Sequence, residues 1–211
     1  MPKVKPHRTS PSLDMTPMVD LAFLLVTFFM LTTQFRPEDA VVVDPPSSTS
    51  DLSAPESDIL TLTVDSKKRV FFGYDKAPVM AAALQAVGAK YGVSFTPTQV
   101  KQFSLLPNFG VPIQQLGSYL NKDNEQRKAL NPGLPGIPYD SLNNQMVTWV
   151  LEARKANASL FKKPTYLAIK GDGDADVETV QEVIKDLQEN NINRFNLVTS
   201  LEMKPTNMSG E

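Results

Sequence analysis

Hydrophobic residues fall along this chain in three different rhythms. From Met15 to Gln34 they are nearly continuous, "MTPMVDLAFLLVTFFMLTTQ". About 20 residues at ~1.5 Å each match a hydrocarbon core of about 30 Å, so the run predicts a membrane-spanning helix over 15–34. Thr16 reads as its N-cap and Pro17 as its first helical residue, where proline's missing N–H is no loss. Further on, Leu60, Leu62 and Val64 alternate, "DSKK" turns the chain, and Val70–Phe72 returns, which predicts a hairpin. Near the end the period lengthens. Met146, Val147, Val150, Leu151 and Arg154 share helical spacing, and so do Val177, Val180, Ile184 and Leu187. Between and after these helices, "PTYLAIKG" and "RFNLVTS" read as strands, so strand, helix and strand compose a right-handed βαβ unit.

The expected architecture is a single N-terminal transmembrane helix followed by a small α+β domain, a mixed sheet with helices on one face. Residues 1–14 form a basic tail, 35–58 a linker and 59–211 the domain. The linker "VVVDPPSSTSDLSAPESD" opens on a β-prone run and turns rich in proline, serine and aspartate. Residues 75–142 differ in character. "PVMAAALQAVGAKYG" and "PIQQLGSYLNKDNEQRKAL" read as helices, divided by turns such as "LPNFGVP" and "NPGLPGIPYD". They predict a helical insertion into the α+β domain.

Charge orients the span. Lys3, Lys5 and Arg8 precede it, whereas Arg36 is outweighed by Glu38, Asp39 and Asp44 after it. Positive charge stays on the cytoplasmic side, so the domain is expected outside. The hydrophobic run is long for a signal peptide, and no Ala-x-Ala-like site follows it. A formal net charge of -2 argues against a nucleic-acid binder. No cysteine and a single histidine, His7 in the tail, leave no material for thiol chemistry, a histidine triad or a multi-histidine metal site. No enzymatic activity, cofactor or metal is expected.

The candidate functional residue is Asp20, the one charge in the span. Nine Val, Leu and Phe residues between Val19 and Leu31 contribute about -4 kcal/mol to insertion, against ~2.5–3.5 for the aspartate, so insertion survives it. A carboxylate near a helix start can simply favour the macrodipole. Against that, aspartate is too short to snorkel well, and apolar residues flank it on both sides. An intramembrane carboxylate by default faces a bundle interior or a watery path and carries ions or protons. Thr27 lies nearly two turns on, on the same face, with Phe23, Leu24 and Leu31 completing the stripe. Its hydroxyl could meet water or a partner helix, or bond back to the carbonyl of Phe23, the commoner arrangement.

Two other patterns carry less. "GDGDADVE" fails the calcium-loop template, with Val177 in place of the glycine and Val183 in place of the bidentate glutamate. A strand-to-helix turn with an aspartate N-cap explains it better. Asn157 and Asn207 begin glycosylation sequons, which arise readily by chance.

A basic tail, "LDMTPMVDLAFLLVTFFML", a linker and a small α+β domain together resemble the ExbD/TolR family of biopolymer-transport proteins. Pro17 and Asp20 match the family's Pro-x-x-Asp signature, and "TYLAIKGDGDADVETVQEVIKDLQENNINRFNLVT" resembles the end of its periplasmic domain. The chain departs from the family at "VVVDPP", where Pro45 stands in place of leucine, and in the insertion.

The resemblance implies an ExbD-like subunit of an inner-membrane motor that energises TonB-dependent transport. Two copies of the helix would stand inside a ring of an ExbB/TolQ-like multi-span protein. Asp20 would carry protons, Pro17 and Thr27 would support the helix, and the periplasmic domain would dimerise and engage a TonB-like or TolA-like protein. A TolR-like role in envelope maintenance, a flagellar or gliding stator subunit, and a passive membrane-anchored binding module are the alternatives.

Overall fold

A computed structural model of the chain describes residues 15–32, 39–45, 47–48, 57–140, 143–173, 175–198 and 200–201. The tail 1–14 with His7, the predicted end of the span at 33–34, most of the second half of the linker, Asp174 and Asn207 lie outside them. The chain divides into two compact units, Met1–Arg36 and Pro37–Glu211.

The first unit contributes one element, α1 (Thr16–Thr32). The helix starts one residue earlier than its sequence suggests. Val19 N–H already donates to the Met15 carbonyl at 3.0 Å, which puts Thr16 inside the first turn. No residue of α1 is buried. Among the described residues no helix is long and apolar enough to cross a membrane.

The second unit is an α+β fold around a five-stranded mixed sheet. In chain order its elements are β1 (Ser47–Ser48), β2 (Ile59–Val64), β3 (Val70–Tyr74), α2 (Ala77–Tyr91), α3 (Pro97–Ser104), β4 (Asn108–Phe109), α4 (Ile113–Leu120) and α5 (Asn124–Leu130). After a 3-10 turn at Asn131–Gly133 come β5 (Tyr139–Asp140), β6 (Asn143–Asn144), α6 (Gln145–Phe161), β7 (Tyr166–Gly171), α7 (Val177–Glu189), β8 (Asn196–Val198) and β9 (Ser200–Leu201). The main sheet runs β4-β3-β2-β7-β8, antiparallel through β4, β3 and β2 and parallel from β2 through β7 to β8.

The expected hairpin is β2–β3. Asp65 closes it by accepting the amides of Lys67 and Arg69 at 3.0 and 2.9 Å, and Lys68 takes the left-handed conformation. The Arg69 guanidinium then returns to the Asp65 carboxylate, Nε to Oδ2 at 2.7 Å. The expected βαβ unit is β7-α7-β8, with β7 and β8 parallel.

Register decides which side chains share a face, because residues paired across a sheet point the same way. Leu62 pairs with Phe72 and with Ile169, and Leu60 with Tyr74 and Leu167, so these buried residues form one apolar face. Helices cover it. Phe72 meets Trp149 of α6 at 5.9 Å between ring centroids, α2 packs along α6, and a Cβ on Gly171 would point at Val180 of α7.

Residues 75–142 are mainly helical, as the sequence implies, and they build a large part of the core. Phe103 of α3 and Phe109 of β4 pack on Trp149 at 5.5 and 4.9 Å, and Ile113, Leu116 and Leu120 of α4 are fully buried. The long helix expected after Pro112 is two. Asp123 accepts from Gln126 N–H at 2.8 Å and so starts α5 afresh. Helix α3 and strand β4 lie in stretches that the hydrophobic pattern leaves blank. Thr96 and Gln99 form a reciprocal capping box that starts α3.

Candidate functional site

Asp20 is the fifth residue of α1 and the only charged group on it. Helical geometry puts Phe23, Leu24, Thr27 and Leu31 on its face. Among the described residues the Asp20 carboxylate makes no hydrogen bond and no ion pair. Leu21, Phe23, Leu24, Leu25, Phe28 and Phe29 are all more than half exposed, so apolar surface surrounds the helix on every side. A helix apolar all round needs an apolar surrounding, either other protein or lipid.

Thr27 takes the commoner of its two arrangements. Its Oγ1 donates to the carbonyls of Phe23 at 2.8 Å and Leu24 at 3.0 Å, and Thr32 does the same toward Phe28 at 2.8 Å. With its proton committed to the backbone, Thr27 offers a neighbour only lone pairs. Pro17 sits in the first turn, where the helix has no use for its missing donor.

The calcium-like segment is a turn. Asp176 occupies the N-cap position of α7, and its carboxylate meets Lys68 Nζ at 2.7 Å and the Thr179 hydroxyl at 3.4 Å. The Lys68 hydrogen bond holds Asp176 below the usual carboxylate range. Among the described residues no group of acidic or histidine side chains could hold a metal ion. Asn157, the first sequon, is wholly buried and donates from Nδ2 to the Lys163 carbonyl and to Thr165 Oγ1, at 3.1 and 3.0 Å. A glycan could not be attached there in the folded domain.

The described part of the expected linker is held against the domain. Ala40 N–H donates to Asn108 Oδ1 at 2.6 Å, Asn108 Nδ2 donates to Asp39 Oδ1 at 3.2 Å, and Gly173 N–H donates to the Asp44 carbonyl at 2.7 Å. Ala40 and Val43 are buried, while Val42 between them points out. Asn108 pairs with Gly73, on the sheet face opposite Phe72 and Trp149. Residues 39–44 therefore run along that opposite face, from the β4 edge to the end of β7. Nothing in the local sequence marks Asn108 as their partner; the β-prone run "VVVD" is the one available signal.

A scan against protein-family models matches residues 6–202 to the biopolymer transport protein ExbD/TolR model. The chain belongs to the ExbD/TolR family. No curated protein and no solved structure matches it. Membership implies a motor-type subunit of biopolymer transport, and family members work with ExbB/TolQ-like partners. Both the α1 segment and the α+β domain fall inside the match.

Proposed function

We propose that this chain is the ion-carrying subunit of an inner-membrane motor. It couples the proton motive force to energised transport across the outer membrane through a TonB-like protein. Residues 15–34 form its single span, with the tail cytoplasmic and the domain periplasmic. Two copies of the helix stand in a ring of an ExbB/TolQ-like multi-span protein. The observation that carries this reading is Asp20 itself, the one charge on a fully exposed apolar helix in a member of this family.

The physics is sufficient for work. One elementary charge crossing 100 mV releases about 2.3 kcal/mol, so a few protons drive a mechanical step. Asp20 takes a proton from one side and releases it to the other. Its charge is tolerated only where the ring supplies water or a partner group, and that alternation turns or shifts the helix. Force then leaves through the linker, residues 35–58, to the domain. No covalent chemistry, cofactor or metal enters the cycle.

The test is Asp20→Asn in cells that carry the ring partner, with assembly read by pull-down and transport by uptake of a siderophore or vitamin. The complex is expected to form and uptake to stop. Normal uptake would leave a passive anchor, and failure to assemble would make Asp20 a pairing group. If deleting the gene spares uptake but makes the envelope leak, the role is TolR-like.

A further inference from the structure

The last turn of α6 and the turn after it bring two large apolar side chains and two lysines to the surface together. "LFKK" spans Leu160 to Lys163, with Leu160 52% and Phe161 40% exposed, and Tyr166, three residues on, is 46% exposed. The chain is held there rigidly. Lys162 caps the helix in the left-handed conformation, φ 54°, which favours glycine. The wholly buried Asn157 ties down the Lys163 carbonyl and Thr165. Lys76 lies 4.3 Å over the Phe161 ring and is itself paired with Asp58, so one face of that ring is held while the residue stays 40% exposed. The side chains of Lys162 and Lys163 are exposed and make no hydrogen bond or ion pair among the described residues.

We propose that Leu160, Phe161, Lys162, Lys163 and Tyr166 form a docking patch for the surface of an anionic lipid bilayer. The chemistry matches an interface with two layers. Leucine and phenylalanine enter the acyl boundary, the lysines meet lipid phosphates, and tyrosine lies at headgroup level. Charge complementarity selects anionic over neutral lipid. The proposal rests on the reading that α1 is embedded in a membrane. Only residues 33–38 separate α1 from Asp39, the first residue of the segment bonded to the domain. A bilayer holding α1 is thus offered to the patch at high local concentration, which lets a weak contact be populated.

The chain has no cysteine, so Ser159→Cys, beside the patch, takes a single environment-sensitive fluorophore. Glu125→Cys on α5 serves as the control site, because α5 leads into Pro132, which binds Arg69 at the other end of the sheet. The full chain is reconstituted into vesicles of phosphatidylcholine alone or with phosphatidylglycerol. A blue shift and quenching by lipid-borne quencher are expected at position 159 only, and only with phosphatidylglycerol. Each lysine should contribute roughly fivefold to the docked-to-free ratio, so Lys162→Gln with Lys163→Gln should lower it about 25-fold. Leu160→Ser with Phe161→Ser should abolish the shift while α1 stays inserted.

Equal emission in both vesicles from inserted protein would overturn the patch alone. So would a shift that depends on protein density rather than lipid charge, which would indicate a second copy, or one reproduced by polyglutamate in neutral vesicles. Failure of the chain to enter vesicles at all, read by alkaline extraction, would overturn the membrane reading and this proposal with it.

Discussion

Helix α1 and the α+β domain treat polar groups in opposite ways. In α1 the single charge, Asp20, has no partner among the described residues and is surrounded by exposed Leu, Val and Phe. In the domain, the buried carboxylates Asp58 and Asp65 are each answered by a cation. Asp58, nearly inaccessible, is paired with Lys76 and lies 3.5 Å from the Tyr74 hydroxyl, and Asp65 holds Arg69. Burial pushes the Tyr74 phenol up to about 12. An unanswered charge is costly unless an assembly answers it, so α1 is built to be completed by something else. The domain is built to stand as a scaffold.

That contrast can be broken in order of expected effect. Asp20→Asn should abolish transport while leaving the domain's melting temperature unchanged; a shift in melting would mean that Asp20 serves the fold. Trp149→Ala should do the converse. It empties the centre of the Phe72, Phe103 and Phe109 cluster and should cost about 3–5 kcal/mol, read as a lower urea midpoint. If stability hardly moved, residues 75–142 would not share the core.

Asn108→Ala should cost about 1–2 kcal/mol, because it leaves the Ala40 amide without its acceptor. Hydrogen exchange at Ala40 should accelerate, and an unchanged rate would mean that residues 39–44 are held by other contacts. Acid tests the domain's ion pairs. The Lys76 hydrogen bond, ahead of other causes, holds Asp58 below its ordinary value of 3.8. Stability from this pair is therefore present above that value and is lost as pH falls through the lowered one. Asp58→Asn, which keeps a residue tolerant of the left-handed backbone, should lose less stability than the natural chain between neutral pH and about pH 3. Equal losses would discount the pair.

Thr27→Val should be the mildest change. The hydroxyl serves only its own helix, so transport should stay within about twofold. A large loss would show that its lone pairs lie on the ion path.

Much of this was legible in the chain. The unbroken apolar run with Asp20, the alternation in β2 and the helical spacing of α6 and α7 are local signals, because each periodicity is set by the backbone of one element. The capping box at Thr96 and Gln99 was equally local and marks the start of α3, yet a reading led by hydrophobic pattern passes over it. Two-residue β4 was not legible. "LPNFGVP" reads as a turn, and Asn108 and Phe109 become a strand only because β3 offers an edge and Trp149 a place for the Phe109 ring.

The sequence by itself determined the two-part plan, the family and the one charged residue of α1. A carboxylate within an apolar run is conspicuous in one dimension. Tertiary structure alone decided that residues 75–142 share the core, that Asn108 holds the chain beyond α1, and that Asn157 is a buried tie. Each of these rests on partners tens of residues apart, and such a pairing depends on how sheet and helices close around one apolar interior, not on any stretch of chain that could be read alone.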